Sequence, residues 1–255
     1  TLREEDVPRA WAVIGPYGAG KSAFGLFLSR LLAKPTSAGS KYAARTLKDA
    51  DPQLHSSYLR VQRGSRGFCS IALTGSPEPL AQRLVRAMLP AAESFFGGRR
   101  GRAPKVMEEI RGAIARGTYG VSEVITLMTK LQDSVSRADG RGVLVVIDEL
   151  GKFLEYEARH RGATDIFLLQ ALAEHSVRKE TAPLVLVVLL HQAIEIYAQS
   201  LGEQLKNEWK KVQGRFETVP FLESTEQTLR VMKAAISADL PRSLHSVIRD
   251  ESGQI

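Results

Sequence analysis

The chain has 255 residues, 44% of them hydrophobic and 25% charged, with a formal net charge of +7. That balance is ordinary for a globular protein able to bury a sizeable core. The longest apolar run, Leu184–Leu190, is far too short to span a bilayer, so no membrane partner is expected. No secretory signal is visible in the charged opening TLREEDVPRAW. The single cysteine, Cys69, leaves no intrachain disulfide and fits a reducing cytoplasm. The modest basic excess favours polyanions such as DNA. Thr1 stands shortly before the first strand, and the chain reads as a piece of a larger protein.

Taken in order, AWAVIG (Ala10 to Gly15) reads as a short buried strand ending in a glycine turn. Ala23, Phe24, Phe27, Leu28, Leu31 and Leu32 then recur at helical spacing until Pro35 and TSAGS. The next clear strand is GFCSIAL, stopped by TGSPEP. A helix follows from Glu78 to Phe96, and two more run from Pro104 to Arg116 and from Ser122 to Arg137, with Ser122 as the expected N-cap. GVLVVIDEL is a third strand. A helix fits Asp165 to Lys179, and Pro183 opens a fourth strand, LVLVVLL. Helices follow at Ile194 to Leu201 and Leu205 to Val212, then a short fifth strand in ETVPF and a last helix from Thr225 to Ile236. Apolar strands alternating with helices predict an α/β fold with a five-stranded parallel sheet covered by helices.

GPYGAGKS, between the first strand and the first helix, matches G-x4-G-K-[ST] in Gly15, Gly20, Lys21 and Ser22. The loop Gly15, Pro16, Tyr17, Gly18, Ala19, Gly20, Lys21, Ser22 and Ala23 is predicted to bind a nucleotide's phosphates. Glycines let successive N–H groups converge on one centre, and a helix N-terminus lies behind them. The Lys21 ammonium is expected on the β- and γ-phosphates, and the Ser22 hydroxyl on Mg²⁺. Asp148 and Glu149 end an apolar strand, where ligands bind in a parallel sheet. Asp148 is expected to hold Mg²⁺, and Glu149 to orient or deprotonate the attacking water. Guanine-reading proteins carry an Asn-Lys-x-Asp element. Here the one asparagine, Asn207, is followed by Glu208 and Trp209. ATP is therefore the expected nucleotide.

With these motifs the chain resembles the AAA+ and STAND P-loop ATPases, particularly the branch of the archaeal Orc/Cdc6 proteins. The resemblance covers positions 10 to 236, with GPYGAGKS and VLVVIDE as its firm parts. It implies an AAA+-like core over 1–222, with a helical insertion over 97–137. It implies too the start of a helical lid over 223–255, largely missing. A polar sensor residue should follow the fourth strand, where LVLVVLLHQ offers His191 or Gln192. An arginine finger should precede the fifth strand, where QGRFETVPF places Arg215 before Phe216. Such a finger acts in trans, so a homo-oligomer is implied. The lid's second sensor arginine has no secure match; Arg242 lies nearby. IDELGKFLEY and KVQGRFETVPF also look like the large ATPases of bacterial phage-defence islands such as BREX, which would bring other defence or effector proteins as partners.

Three functions compete: an ATPase driving conformational change or assembly on DNA, a slow nucleotide-gated signalling switch, and a nucleotide kinase. GGRRGRAPK, RVQRGSRG and YEARHRG each fit either a contact loop or a solvated one. The five histidines lack metal-ligand spacing, so no zinc site is expected. Cys69 is expected to pack in the core.

Overall fold

Every apolar run read as a strand pairs into one five-stranded sheet, and every pairing is parallel. The structure is a computed structural model that describes residues 7–98, 104–160, 164–178, 182–197 and 203–222. Contacts divide the chain into Thr1–Phe221 and Leu222–Ile255, and the description below concerns the first unit. The helix expected at 225–236, the lid and Arg242 lie outside the described residues, as do Arg99, Arg100 and Arg102.

In chain order the elements are β1 (Ala10–Ile14), α1 (Lys21–Leu32), α2 (Ala38–Ala50), α3 (Pro52–Gln62), β2 (Phe68–Thr74) and α4 (Leu80–Phe96). Then come α5 (Lys105–Arg116), α6 (Val121–Ser136), β3 (Gly142–Asp148), α7 (Gly151–His160) and α8 (Thr164–Ser176). The last are β4 (Leu184–Leu190), α9 (Ile194–Tyr197), α10 (Glu203–Gln213) and β5 (Glu217–Pro220). The strand order is β2-β3-β4-β1-β5, so β4 lies between β1 and β3. Pro220, which can donate no ladder hydrogen bond, falls on the edge strand β5.

Alternation along the strands divides the core into two faces. Val13, Leu144, Val146, Val187 and Leu189 face one way and meet Phe24, Leu28 and Leu32 of α1. Ala12, Ile71, Val143, Val145, Ile147, Leu186 and Val188 face the other way. There they meet apolar residues of α4, α5, α6, α7 and α8, including Met88, Ile110, Met128, Phe153 and Leu169. The helices after Gly97 are thus woven into the main core. Cys69 is fully buried on β2, and burial pushes its thiol up to about 12.

Two expectations are corrected, and two helices are added to those predicted. Helices α2 and α3 stand between Lys34 and Arg63, a stretch for which no element was predicted. Their buried stripes are short and mixed: Ser40, Ala43 and Leu47 on α2, Tyr58 and Gln62 on α3. Ser122 is not an N-cap. Gly120 precedes α6, and Ser122 lies inside its first turn, where its carbonyl accepts from Thr126. YEARHRG is not a loop up to His160, because α7 runs through Tyr156–His160.

Helix ends are tied by remote carboxylates. No local side chain caps α4; the Leu80 N–H instead donates to Asp165, on α8, at 2.8 Å. The Ile166 N–H of α8 donates in turn to Glu157 of α7 at 2.9 Å. Both carboxyls are buried. Burial and the neighbouring Asp165 push Glu157 up to about 7, and burial pushes Asp165 up to about 6. Ordinary carboxyl values lie near 4, so the folded chain binds protons that the unfolded chain releases. Stability contributed by this pair rises as pH falls from about 7 towards 4.5 and is lost as pH rises through the folded values. Glu157→Gln with Asp165→Asn keeps both acceptors without charge. That double variant should flatten this part of the pH profile and melt above wild type at pH 8. Parallel profiles for the two proteins in thermal melts would refute the assignment.

Candidate functional site

Parallel pairing brings the ends of β1, β3 and β4 to one edge, and each end is tied to its neighbour. The Gly15 N–H donates to the Leu190 carbonyl at 3.1 Å, Leu150 N–H to Leu189 at 3.2 Å and Phe221 N–H to Ile14 at 2.7 Å. A cavity of about 270 Å³ opens there. Tyr17, Gly18, Gly20, Lys21 and Ser22 line it from the loop after β1, Asp148 and Glu149 from the end of β3, and His191 from beyond β4. Residues from three distant parts of the sequence thus share one concavity.

The loop's shape follows from its glycines. Gly18 and Gly20 have φ of 83° and 87°, left-handed conformations that a side chain strains. Gly15 meets a different demand: a Cβ there would collide with the Phe221 carbonyl oxygen at the end of β5. Gly20 caps α1 and offers no side-chain acceptor, so no side chain covers the first N–H groups of the helix, whose first residues, Lys21 and Ser22, line the cavity. The Lys21 ammonium donates to the loop's own carbonyls, Gly15 at 2.8 Å and Pro16 at 2.6 Å. Ala19 is buried; Pro16, Ser22 and Ala23 are exposed.

Asp148 and Glu149 differ in how they are held. Asp148 is half-buried and accepts from the Glu149 N–H at 2.9 Å. Its backbone carbonyl accepts from Gly75 at 2.7 Å. Glu149 has φ of 50°, a left-handed conformation unusual for a residue with a side chain. The chain turns sharply at this residue and enters α7. Gly75 makes room for the turn, because a Cβ there would strike the Glu149 carbonyl oxygen. The Glu149 carboxylate pairs with Lys152 at 2.6 Å. That hydrogen bond, with the same carboxylate's charge, raises the Lys152 ammonium above its ordinary value.

Of the two residues expected after β4, His191 lines the cavity and Gln192 does not. The His191 ring stacks on Tyr17 at 4.6 Å between centroids. Its nitrogens lie 3.1 and 3.2 Å from the Tyr197 hydroxyl, which Gln192 also contacts. Burial pushes the Tyr197 hydroxyl's pKa upward, so it stays protonated. Its ring lies against Gly151, where a Cβ would meet the hydroxyl. Sequence reasoning placed Tyr17 in the phosphate loop but missed its stacking on His191, and it missed Tyr197 as a part of the site. In spacing alone Tyr17 is a loop position and Tyr197 a helical residue.

Arg215 lies elsewhere. It precedes β5, whose Glu217 is level with Trp11 and whose Pro220 is level with Ile14. The phosphate loop follows Ile14, so Arg215 stands at the opposite edge of the sheet. There it pairs with Glu174 of α8 at 3.0 Å. It contributes nothing to the cavity of its own chain.

Ser22 and Asp148 are a donor set that fits Mg²⁺: one hydroxyl and one carboxylate, with water and phosphate oxygens filling the remaining positions. Among the described residues no group of three or more His, Cys, Asp or Glu could hold a metal by itself. The arrangement is an α/β sheet with a glycine loop and paired carboxylates at its carboxyl edge, compatible with a P-loop-like fold. No protein-family model matches the chain, and none of the curated proteins compared with it does. Among the described residues no helix is long and apolar enough to cross a membrane.

The tight approach at Gly15 yields a test. Gly15→Ala forces β5 away from the loop and should cost about 1–3 kcal/mol, as overpacking does. Thermal melts should show the loss together with weakened nucleotide binding. A variant with unchanged melting would mean that Phe221 does not press on the loop.

Proposed function

We propose that the chain is a Mg²⁺-dependent, ATP-hydrolysing P-loop ATPase of AAA+-like organisation. One observation carries this reading: Lys21, Ser22, Asp148, Glu149 and His191 line one cavity at the carboxyl edge of a parallel sheet. Bound Mg²⁺ would supply positive charge to the β- and γ-phosphate oxygens. Phosphate oxygens would replace the carbonyls of Gly15 and Pro16 as acceptors for the Lys21 ammonium. Gly18 and Gly20 turn backbone N–H groups toward the same oxygens. Glu149 accepts a proton from water as its oxygen bonds to the γ-phosphorus and the bond to the ADP oxygen breaks. His191, held by Tyr17 and Tyr197, is positioned to contact the γ-phosphate.

Turnover would drive a conformational change or assembly on DNA, the partner the basic excess points to. The resemblance to phage-defence ATPases extends this role to antiviral defence in the cytoplasm. A slow nucleotide-gated switch is the second reading, favoured by the Glu149–Lys152 pair. A carboxylate oxygen engaged by an ammonium is not free to accept a proton from water, so basal hydrolysis would be low until Lys152 is drawn away.

Binding and chemistry separate in two variants. Lys21→Ala should abolish ATP binding in calorimetry, because the phosphates lose their principal cation. Glu149→Gln should retain Mg·ATP and lose about 10²-fold or more in turnover. Undiminished hydrolysis by Glu149→Gln would assign the base to another group.

Arg215 is proposed as a finger serving the pocket of a neighbouring copy, with a head-to-tail interface. In the full-length protein Arg215→Ala should bind ATP normally and hydrolyse it slowly. Mixing it with Lys21→Ala protein should restore part of the activity. Mixed oligomers without recovered turnover would leave Arg215 as the partner of Glu174 only.

A further inference from the structure

We infer that the exposed face of α2, carrying Lys41, Arg45 and Lys48, is a docking surface for the phosphate backbone of a nucleic acid. The segment Lys34 to Arg66 holds seven Lys and Arg against two Asp, a surplus of five in a chain whose whole surplus is seven. One of those acids, Asp51, is committed to capping α3, where it accepts from Gln53 and Leu54. The other, Asp49, is exposed four residues after Arg45 on the same helix, and no ion pair joins the two among the described residues.

Position decides more than number. Ser40, Ala43 and Leu47 form the buried stripe of α2 against α1 and α3. Lys41, Arg45 and Lys48 follow one another at i, i+4 and i+7 on an exposed face. They span about 10 Å at the helical rise, close enough to engage successive phosphates of one strand. Tyr42 beside them is 75% exposed and offers a ring on which a base can stack.

The rest of the surface makes the contrast. Among the described residues, six basic side chains on other elements are matched to carboxylates: Arg86 to Glu78, Arg111 to Glu93, Arg116 to Glu123, Lys130 to Glu109, Lys152 to Glu149 and Arg215 to Glu174. None of Lys41, Arg45 and Lys48 has such a match. Unpaired like charges repel one another, and a polyanion relieves that repulsion by releasing its own counterions. An anionic membrane fits less well. An interfacial helix needs its apolar side free, and here that side is already covered by α1.

The row also points back to the phosphate loop. Ser40 donates to the Leu31 carbonyl, while Ala43 and Leu47 pack in one cluster with Phe27. The register therefore runs antiparallel to α1, and Lys48 lies toward the helix end that carries Lys21. This inference deepens the DNA clause of the proposed function but needs no hydrolysis.

The test uses the full chain and fluorescently labelled 30-nucleotide DNA of random sequence, single-stranded and duplex, followed by anisotropy across salt concentrations. Lys41→Gln/Arg45→Gln/Lys48→Gln should bind at least about tenfold more weakly. Its slope of log K against log salt should shrink by about 2 to 3, near 0.9 for each duplex phosphate that is no longer neutralised. Arg86→Gln/Arg111→Gln/Arg116→Gln removes equal charge from paired sites and should bind as wild type does. Binding is measured without nucleotide, so failure of the ATPase reading leaves this result standing. Circular dichroism and melting check that each variant is folded. Wild-type affinity and slope in the α2 variant overturn the inference. So does an equal loss in the α4–α5 control, or binding to phosphatidylserine vesicles with none to either DNA.

Discussion

Parallel pairing makes strands end together, and this geometry underlies everything at the candidate site. β1, β4 and β3 are consecutive neighbours in the sheet, with Ala12 level with Val188 and Ile147 level with the same residue on the other side. Their carboxyl ends therefore fall at one edge, although they arise from three distant parts of the sequence. A glycine loop, a carboxylate pair and a histidine emerge on that edge without any of them contributing to the others' local folding. The apolar face-to-face packing of the sheet holds the edge rigid, because its central strands are buried against helices on both sides.

Rigidity at this edge is built into the backbone as well. Gly15 touches Phe221, Gly75 touches Glu149 and Gly151 touches Tyr197, so three close approaches surround the cavity. Glu149 holds a left-handed conformation between two such approaches. Strain of this kind persists only where the surroundings enforce it. It turns the chain out of β3 and into α7 directly after Asp148, whose own side-chain oxygen accepts from the Glu149 N–H. Two adjacent acids are thereby given different partners, the Glu149 N–H for Asp148 and the Lys152 ammonium for Glu149.

The parts visible in the sequence are those with strong local chemistry. β3 and β4 are legible because both faces are buried, which leaves continuous apolar runs. The loop is legible because its spacing is a backbone requirement written in glycine. α2 and α3 are not, since their buried stripes mix Leu47 and Tyr58 with serine, alanine and glutamine and yield only a weak apolar period. The Ser37 cap and the Asp51-Pro52 start are the signals that mark them. Asp165 reads as a local helix start, but it serves α4, 85 positions away. Long-range capping leaves no trace in spacing. The stacking of Tyr17 on His191 is likewise a product of strand order, which periodicity alone does not contain.

Cys69 has a practical consequence. Its thiol is fully buried on β2, and burial pushes it up to about 12. Thiolate is the reactive form, so at neutral pH the native fold presents no competent sulfur nucleophile among its described residues. Opening of the β2–β3 ladder would expose it at once. The chain thus carries its own chemical clock: the rate at which a thiol reagent consumes Cys69 measures how often this edge of the sheet comes apart. A cysteine introduced on the surface, by contrast, would take a fluorophore or spin label with no competing site, and the native residue would not need replacing.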